Sequence, residues 1–81
     1  MIKKIQIYTA GCPRSMMTVA NLKKAVKELG IEIEVENIKD PDVCRQHNVG
    51  VYPTIRINEE IKSEGVFRDP AYCKDLLREY L

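Results

Sequence analysis

The sequence predicts an α/β fold with element order βαβαββα, a four-stranded mixed sheet carrying helices on its faces. Three observations predict it. Short apolar–polar alternations recur along the chain, each at the period-two spacing of a strand. Proline follows a capping residue at Cys12-Pro13, Asp40-Pro41 and Asp69-Pro70, which places it at the first position of three helices. The first two strands are separated by a helix-length segment, so they form a parallel pair with a right-handed crossover.

In order along the chain, Ile5 and Ile7 alternate with Lys4, Gln6 and Tyr8 and define a first strand over residues 2–8. Thr9-Ala10-Gly11 is a short loop. Pro13 opens a long helix over about residues 13–29, with Val19, Leu22, Val26 and Leu29 at helical spacing and Gly30 as its C-terminal stop. Ile31 to Glu36 alternates strictly and forms a second strand with one solvated face. Asp40-Pro41 starts a short helix to residue 47 that carries Val43, Cys44 and His47, and Asn48 and Gly50 end it. Pro53 to Asn58 is a third strand. Asn58-Glu59-Glu60 turns tightly into a fourth strand over Ile61–Val66, making a hairpin. Asp69-Pro70 caps a last helix reaching residue 80, whose Cys73, Leu76, Leu77 and Tyr80 share one face. No linker, repeat or low-complexity stretch interrupts this order, so residues 1–81 are expected to form one domain.

Composition narrows the function. A formal net charge of +1 offers no reason to expect a nucleic-acid or acidic-lipid partner. No apolar run approaches the roughly 20 residues of a membrane helix. The N-terminus reads as a strand instead of the apolar core of a signal segment, so the expected location is cytoplasmic. The three cysteines, Cys12, Cys44 and Cys73, are odd in number and widely spaced, which argues against a disulfide framework. No C-x-x-C pair is present to hold zinc, and no metal site is expected. One reactive thiol with two bystanders is the simpler account.

Cys12-Pro13 is the sharpest chemical feature. With Pro13 as the first helical residue, Cys12 is the N-cap and its sulfur faces the backbone N–H groups of Arg14 and Ser15. Those donors, the positive end of the helix dipole and the Arg14 charge all favour thiolate over thiol. The bland alternative is a cysteine that only caps a helix. A second feature is Val51-Tyr52-Pro53-Thr54 at the start of the third strand. A cis Tyr52–Pro53 bond would leave the Tyr52 backbone free to pair with an extended thiol substrate, although local statistics alone favour trans.

Taken together, strand–loop–Cys12-Pro13-Arg14-Ser15–helix followed by Tyr52-Pro53-Thr54 at a third strand resembles the thioredoxin superfamily, and most of all its short glutaredoxin-like thioredoxins from bacteria and archaea. The likeness covers nearly the whole chain in element order and length. It implies a thiol–disulfide oxidoreductase in which Cys12 is the nucleophile, Pro53 is the cis-proline beside it, and Tyr52, Thr54 and Arg14 help to hold the substrate. Disulfide-containing proteins or glutathione would be the substrates, and an unidentified thiol or reductase the electron donor.

Departures from that pattern matter. Ser15 stands where the family carries its resolving cysteine, and a serine cannot form a disulfide. It is either natural, giving a monothiol protein, or a Cys→Ser replacement that traps a mixed disulfide. Gly11 replaces the tryptophan that often precedes the motif, and Gln6 occupies the place of a buried acid. Glutaredoxins hold glutathione with paired glycines and an acid after the fourth strand. Here Gly65 is the one glycine, and Asp69 is committed to capping the last helix, so glutathione as a co-substrate has partial support and no bound cofactor is expected. The rival function is a docking module that keeps the fold and the groove beside Pro53 but has lost turnover; a redox-linked metal carrier is weaker still. Among the remaining residues, His47 is expected as a solvated cation, Cys73 in the core and Cys44 in either of two environments. Of Met16 and Met17, one is expected in the core and the other on an apolar rim.

Overall fold

A computed structural model describes residues 1–81. Its elements run β1 (Ile5–Tyr8), α1 (Pro13–Glu28), β2 (Val35–Ile38), α2 (Pro41–Gln46), β3 (Thr54–Ile57), β4 (Glu60–Glu64) and α3 (Pro70–Arg78). All three helices begin at proline, with Cys12, Asp40 and Asp69 as N-caps. Asp40 accepts a hydrogen bond from the Asp42 N–H at 2.9 Å, and Asp69 accepts one from the Tyr72 N–H at 2.8 Å. Each aspartate thereby satisfies one orphan donor of its helix.

The strands form one mixed sheet in the order β2-β1-β3-β4. β1 pairs parallel with β2 and antiparallel with β3, and β3 pairs antiparallel with β4. The β3–β4 hairpin turns through Asn58 and Glu59, both at positive φ, the conformation whose twist matches the flanking strands. The Asn58 side chain also ties down the N-terminus. Its Oδ1 accepts from the Lys3 and Lys4 N–H groups, and its amide donates to the Met1 carbonyl.

On one face of the sheet α1 and α3 pack together over Ile5, Ile7, Val35, Ile55 and Ile57. Val19, Leu22, Ala25 and Val26 come down from α1, and Cys73, Leu76 and Leu77 from α3. The opposite face holds a smaller cluster of Tyr8, Ile38, Cys44 and Val49 beneath α2. The sheet is thus covered on both sides along β1, and all four β1 residues are buried.

That two-sided burial corrects several expectations. Gln6 and Tyr8 are buried, so the alternation on β1 reports which side of a doubly covered sheet a residue enters. β2 begins at Val35, not Ile31, since β1 offers pairing partners only from Ile5 to Tyr8. Ile31 and Ile33 still pack against the large cluster as extended, unpaired chain. Cys44 is fully buried in the small cluster. His47 is not simply solvated: its Nδ1 lies 2.7 Å from the Tyr8 hydroxyl, and its ring meets the Tyr8 ring edge-on.

Candidate active site

Tyr8 ends β1 deep in the sheet, and the next residues must turn back to start α1. Ala10 and Gly11 achieve this with consecutive positive φ values of 47° and 77°. The Cys12 N–H donates to the Thr9 carbonyl at 2.8 Å, which closes the turn. Cys12 then adopts the extended backbone of an N-cap, with φ −67° and ψ 122°, and Pro13 begins the helix. The Cys12 side chain is half-buried and its thiol is free.

The sulfur makes no hydrogen bond of full capping geometry, yet the groups around it favour a negative charge. Its pKa is lowered chiefly by the Ser15 backbone N–H, then by the Ser15 hydroxyl and the Arg14 backbone N–H. Partial burial opposes them, and the Arg14 charge adds to them. The Ser15 side chain is 1% exposed, and its hydroxyl has no hydrogen-bond partner. A buried donor without an acceptor costs stability; a thiolate at Cys12 would supply the acceptor.

Beside Cys12 runs a groove of about 650 Å³. Tyr52, Pro53 and Gly65 form its far wall, Arg14 and Ser15 the helix side, and Met17 and Phe67 its apolar flank. The Tyr52–Pro53 bond is cis. Neither the backbone N–H nor the carbonyl of Tyr52 pairs with other backbone, while the Pro53 carbonyl accepts from the Gly65 N–H at 2.8 Å and ties the two walls together. The Tyr52 hydroxyl sits by the buried Cys44 thiol, which raises its pKa.

Not every expected site residue reaches this groove. Cys12, Arg14, Ser15, Tyr52, Pro53 and Gly65 line it. Pro13 is exposed and stays outside it, acting at the first helical position. Thr54 is buried, and its hydroxyl donates to the Val51 carbonyl at 2.8 Å. It shapes the turn before β3 and does not line the groove. Met16 and Met17 are both exposed, so neither enters the core; the Met16 sulfur instead lies 3.5 Å from the Asn37 amide. Sequence reasoning passed over Phe67, which is half-exposed at the groove. Its only signal was an aromatic side chain lodged between a glycine and a helix-capping aspartate.

Cys73 lies in the large cluster, where burial raises its pKa to about 11. Neither it nor Cys44 is accessible. No group of histidine, cysteine and carboxylate side chains is arranged to hold a metal ion. No helix is long and apolar enough to cross a membrane.

Comparison with known proteins agrees with this geometry. Residues 3–78 match the family model described as a thioredoxin domain. A protein named thioredoxin from Methanothermobacter thermautotrophicus is 40% identical over 74 residues, covering 91% of this chain and 96% of that protein. Another of the same name, from Methanocaldococcus jannaschii, is 35% identical over 77 residues, covering 95% of this chain and 88% of that protein. With the helix-capping cysteine, the mixed sheet and a match spanning nearly every residue, this chain belongs to the thioredoxin domain family.

Proposed function

We propose that this protein is a thiol–disulfide oxidoreductase of monothiol type, with Cys12 as the nucleophile. The observation that carries the reading is the placement of a free, half-buried thiol at the N-terminus of α1, on a groove lined also by Tyr52 and Pro53. The Cys12 thiolate attacks one sulfur of a substrate disulfide. The substrate S–S bond breaks, a Cys12–substrate disulfide forms, and the departing thiolate takes a proton from water. Ser15 cannot complete the cycle. A second thiol from solution, such as glutathione or a protein thiol, attacks the mixed disulfide and is itself oxidised, and Cys12 leaves as thiolate. The Ser15 hydroxyl and the two backbone N–H groups stabilise that leaving group as they stabilised the nucleophile. Tyr52, with its unpaired backbone, and Pro53 align the substrate across the groove.

Two measurements test this. At pH 6, iodoacetamide should label Cys12 well ahead of Cys44 and Cys73, both fully buried. A small disulfide should then give a mixed disulfide at Cys12 that persists until an external thiol is added, visible as a mass increment on one peptide. Label arriving first at another cysteine would show the nucleophile to be wrong. Slow alkylation of Cys12 with an ordinary pKa would favour a docking module without exchange.

A further inference from the structure

We propose that the Cys12 groove selects disulfides bearing a carboxylate close to the attacked sulfur, and that Arg14 is the residue that selects them. This rests on the oxidoreductase reading above and names its substrate class.

The charge distribution carries the inference. Arg14 is the only basic residue lining the groove, and none of the lining residues is acidic. Arg45 and Arg78 pair with Asp42 and Asp75, Arg56 donates to the Tyr8 hydroxyl, and Arg68 bonds Ser63 and stacks on Tyr72. Arg14 is exposed and has neither an ion pair nor a hydrogen bond within the chain. It also occupies an electrostatically unfavourable place. A cation in the first turn of a helix opposes the helix dipole, and α1 has no acidic residue in that turn to offset it.

During exchange this imbalance grows. While Cys12 is a thiolate, its charge partly compensates Arg14. When the new S–S bond forms, that charge departs with the leaving thiolate, and the guanidinium faces the mixed disulfide with no anion from its own chain. A carboxylate on the substrate, one residue from the sulfur, would restore the balance. Such a pair would be partly exposed, since Met17 and Phe67 on the apolar flank are themselves solvent-facing, and its strength should therefore depend on salt. The carboxylate could belong to an aspartate or glutamate beside a protein cystine, or to a small anionic disulfide.

The test compares three symmetrical disulfides of similar size: dithiodipropionate (anionic), hydroxyethyl disulfide (neutral) and cystamine (cationic). Rates of mixed-disulfide formation at Cys12 are measured for the natural protein, Arg14→Gln and Arg14→Lys, at a pH where Cys12 is wholly thiolate. Each rate is divided by that of the neutral reagent, which removes differences in thiolate fraction and folding. The anionic-to-neutral ratio should fall about threefold to fivefold in Arg14→Gln, the size expected of a partly exposed ion pair. It should be largely kept in Arg14→Lys and shrink in the natural protein as salt is raised. The cationic-to-neutral ratio should move the other way. Oxidised glutathione and a cystine peptide with aspartate beside each half-cystine then distinguish the two sources. Arg14 dependence with either one supports the selection rule and identifies the source. Equal ratios in the natural protein and Arg14→Gln would overturn the selection rule alone. Failure of the neutral reagent to modify Cys12 would overturn the oxidoreductase reading and this inference with it.

Discussion

Two glycines lie near Cys12 for different reasons, and substitution separates them. Gly11 has φ +77° and open space where a Cβ would stand, so Gly11→Ala meets only the left-handed backbone cost of about 1–2 kcal/mol. Gly65 has φ +70°, and an added Cβ would lie 3.3 Å from Val51 Cγ2. Gly65→Ala should therefore destabilise by at least as much in urea titrations. Because Gly65 also lines the groove, it should slow the reaction of Cys12 with a peptide disulfide while leaving the iodoacetamide rate nearly unchanged. At this scale the site was largely legible in sequence. A cysteine directly before a helix-opening proline has its sulfur at the helix N-terminus whatever the rest of the fold does. Thr54 and His47 were not legible, because each is defined by a partner the local pattern does not reveal: the Val51 carbonyl across a turn, and a tyrosine hydroxyl 39 positions away.

Among the elements, α2 is the shortest helix and is tied to the sheet by a polar contact at its C-terminal end. It has six residues, of which only Cys44 is buried. Its C-terminal His47 meets the Tyr8 hydroxyl, which also accepts from Arg56 on β3 at 3.1 Å and lies 3.4 Å from the Gln6 Oε1. Gln6 in turn donates to Glu36 on β2 at 2.9 Å. One hydroxyl thus ties β1, β3 and the end of α2 together, and Gln6 extends the link to β2. Tyr8→Phe keeps the ring but strips His47 and Arg56 of their partner, and should cost about 1–3 kcal/mol. The loss should fall mainly on the α2 side. Cys44 beneath α2 should become more reactive toward alkylation through local opening, and Cys73 should change little. The apolar periods gave the strands and helices their places, and the prolines gave the helix starts to the residue. The second core was not legible, because alternation on β1 does not say what covers its other face. In a central strand covered on both sides, the polar-looking positions Gln6 and Tyr8 face a core of their own.

Over the whole molecule, each core holds one spare thiol, and the one in the large core couples to global stability. Cys73 lies in the large cluster between α3, α1 and the sheet and is fully buried. Desolvation is the main cause of its raised pKa, with the Asp69 charge second and Arg68 partly opposing them. The shift runs from 9.0 to about 11, so the folded protein holds this proton over a pH range in which the unfolded chain has released it. Between those values the unfolded state binds fewer protons, and unfolding free energy must fall as pH rises. The contribution is fully present below pH 9 and is lost progressively toward pH 11, amounting to roughly 2–3 kcal/mol. Lysines and tyrosines titrate in the same range, so the comparison is with Cys73→Ala. That variant should be less stable at pH 7, by about 1 kcal/mol or somewhat more for the cavity left by the sulfur. Its stability should nonetheless decline less steeply above pH 9, so the two curves should cross at about pH 10 and Cys73→Ala should be the more stable protein at pH 11. Urea titrations at intervals across that range measure both slopes, and parallel slopes would mean that Cys73 ionises as readily folded as unfolded.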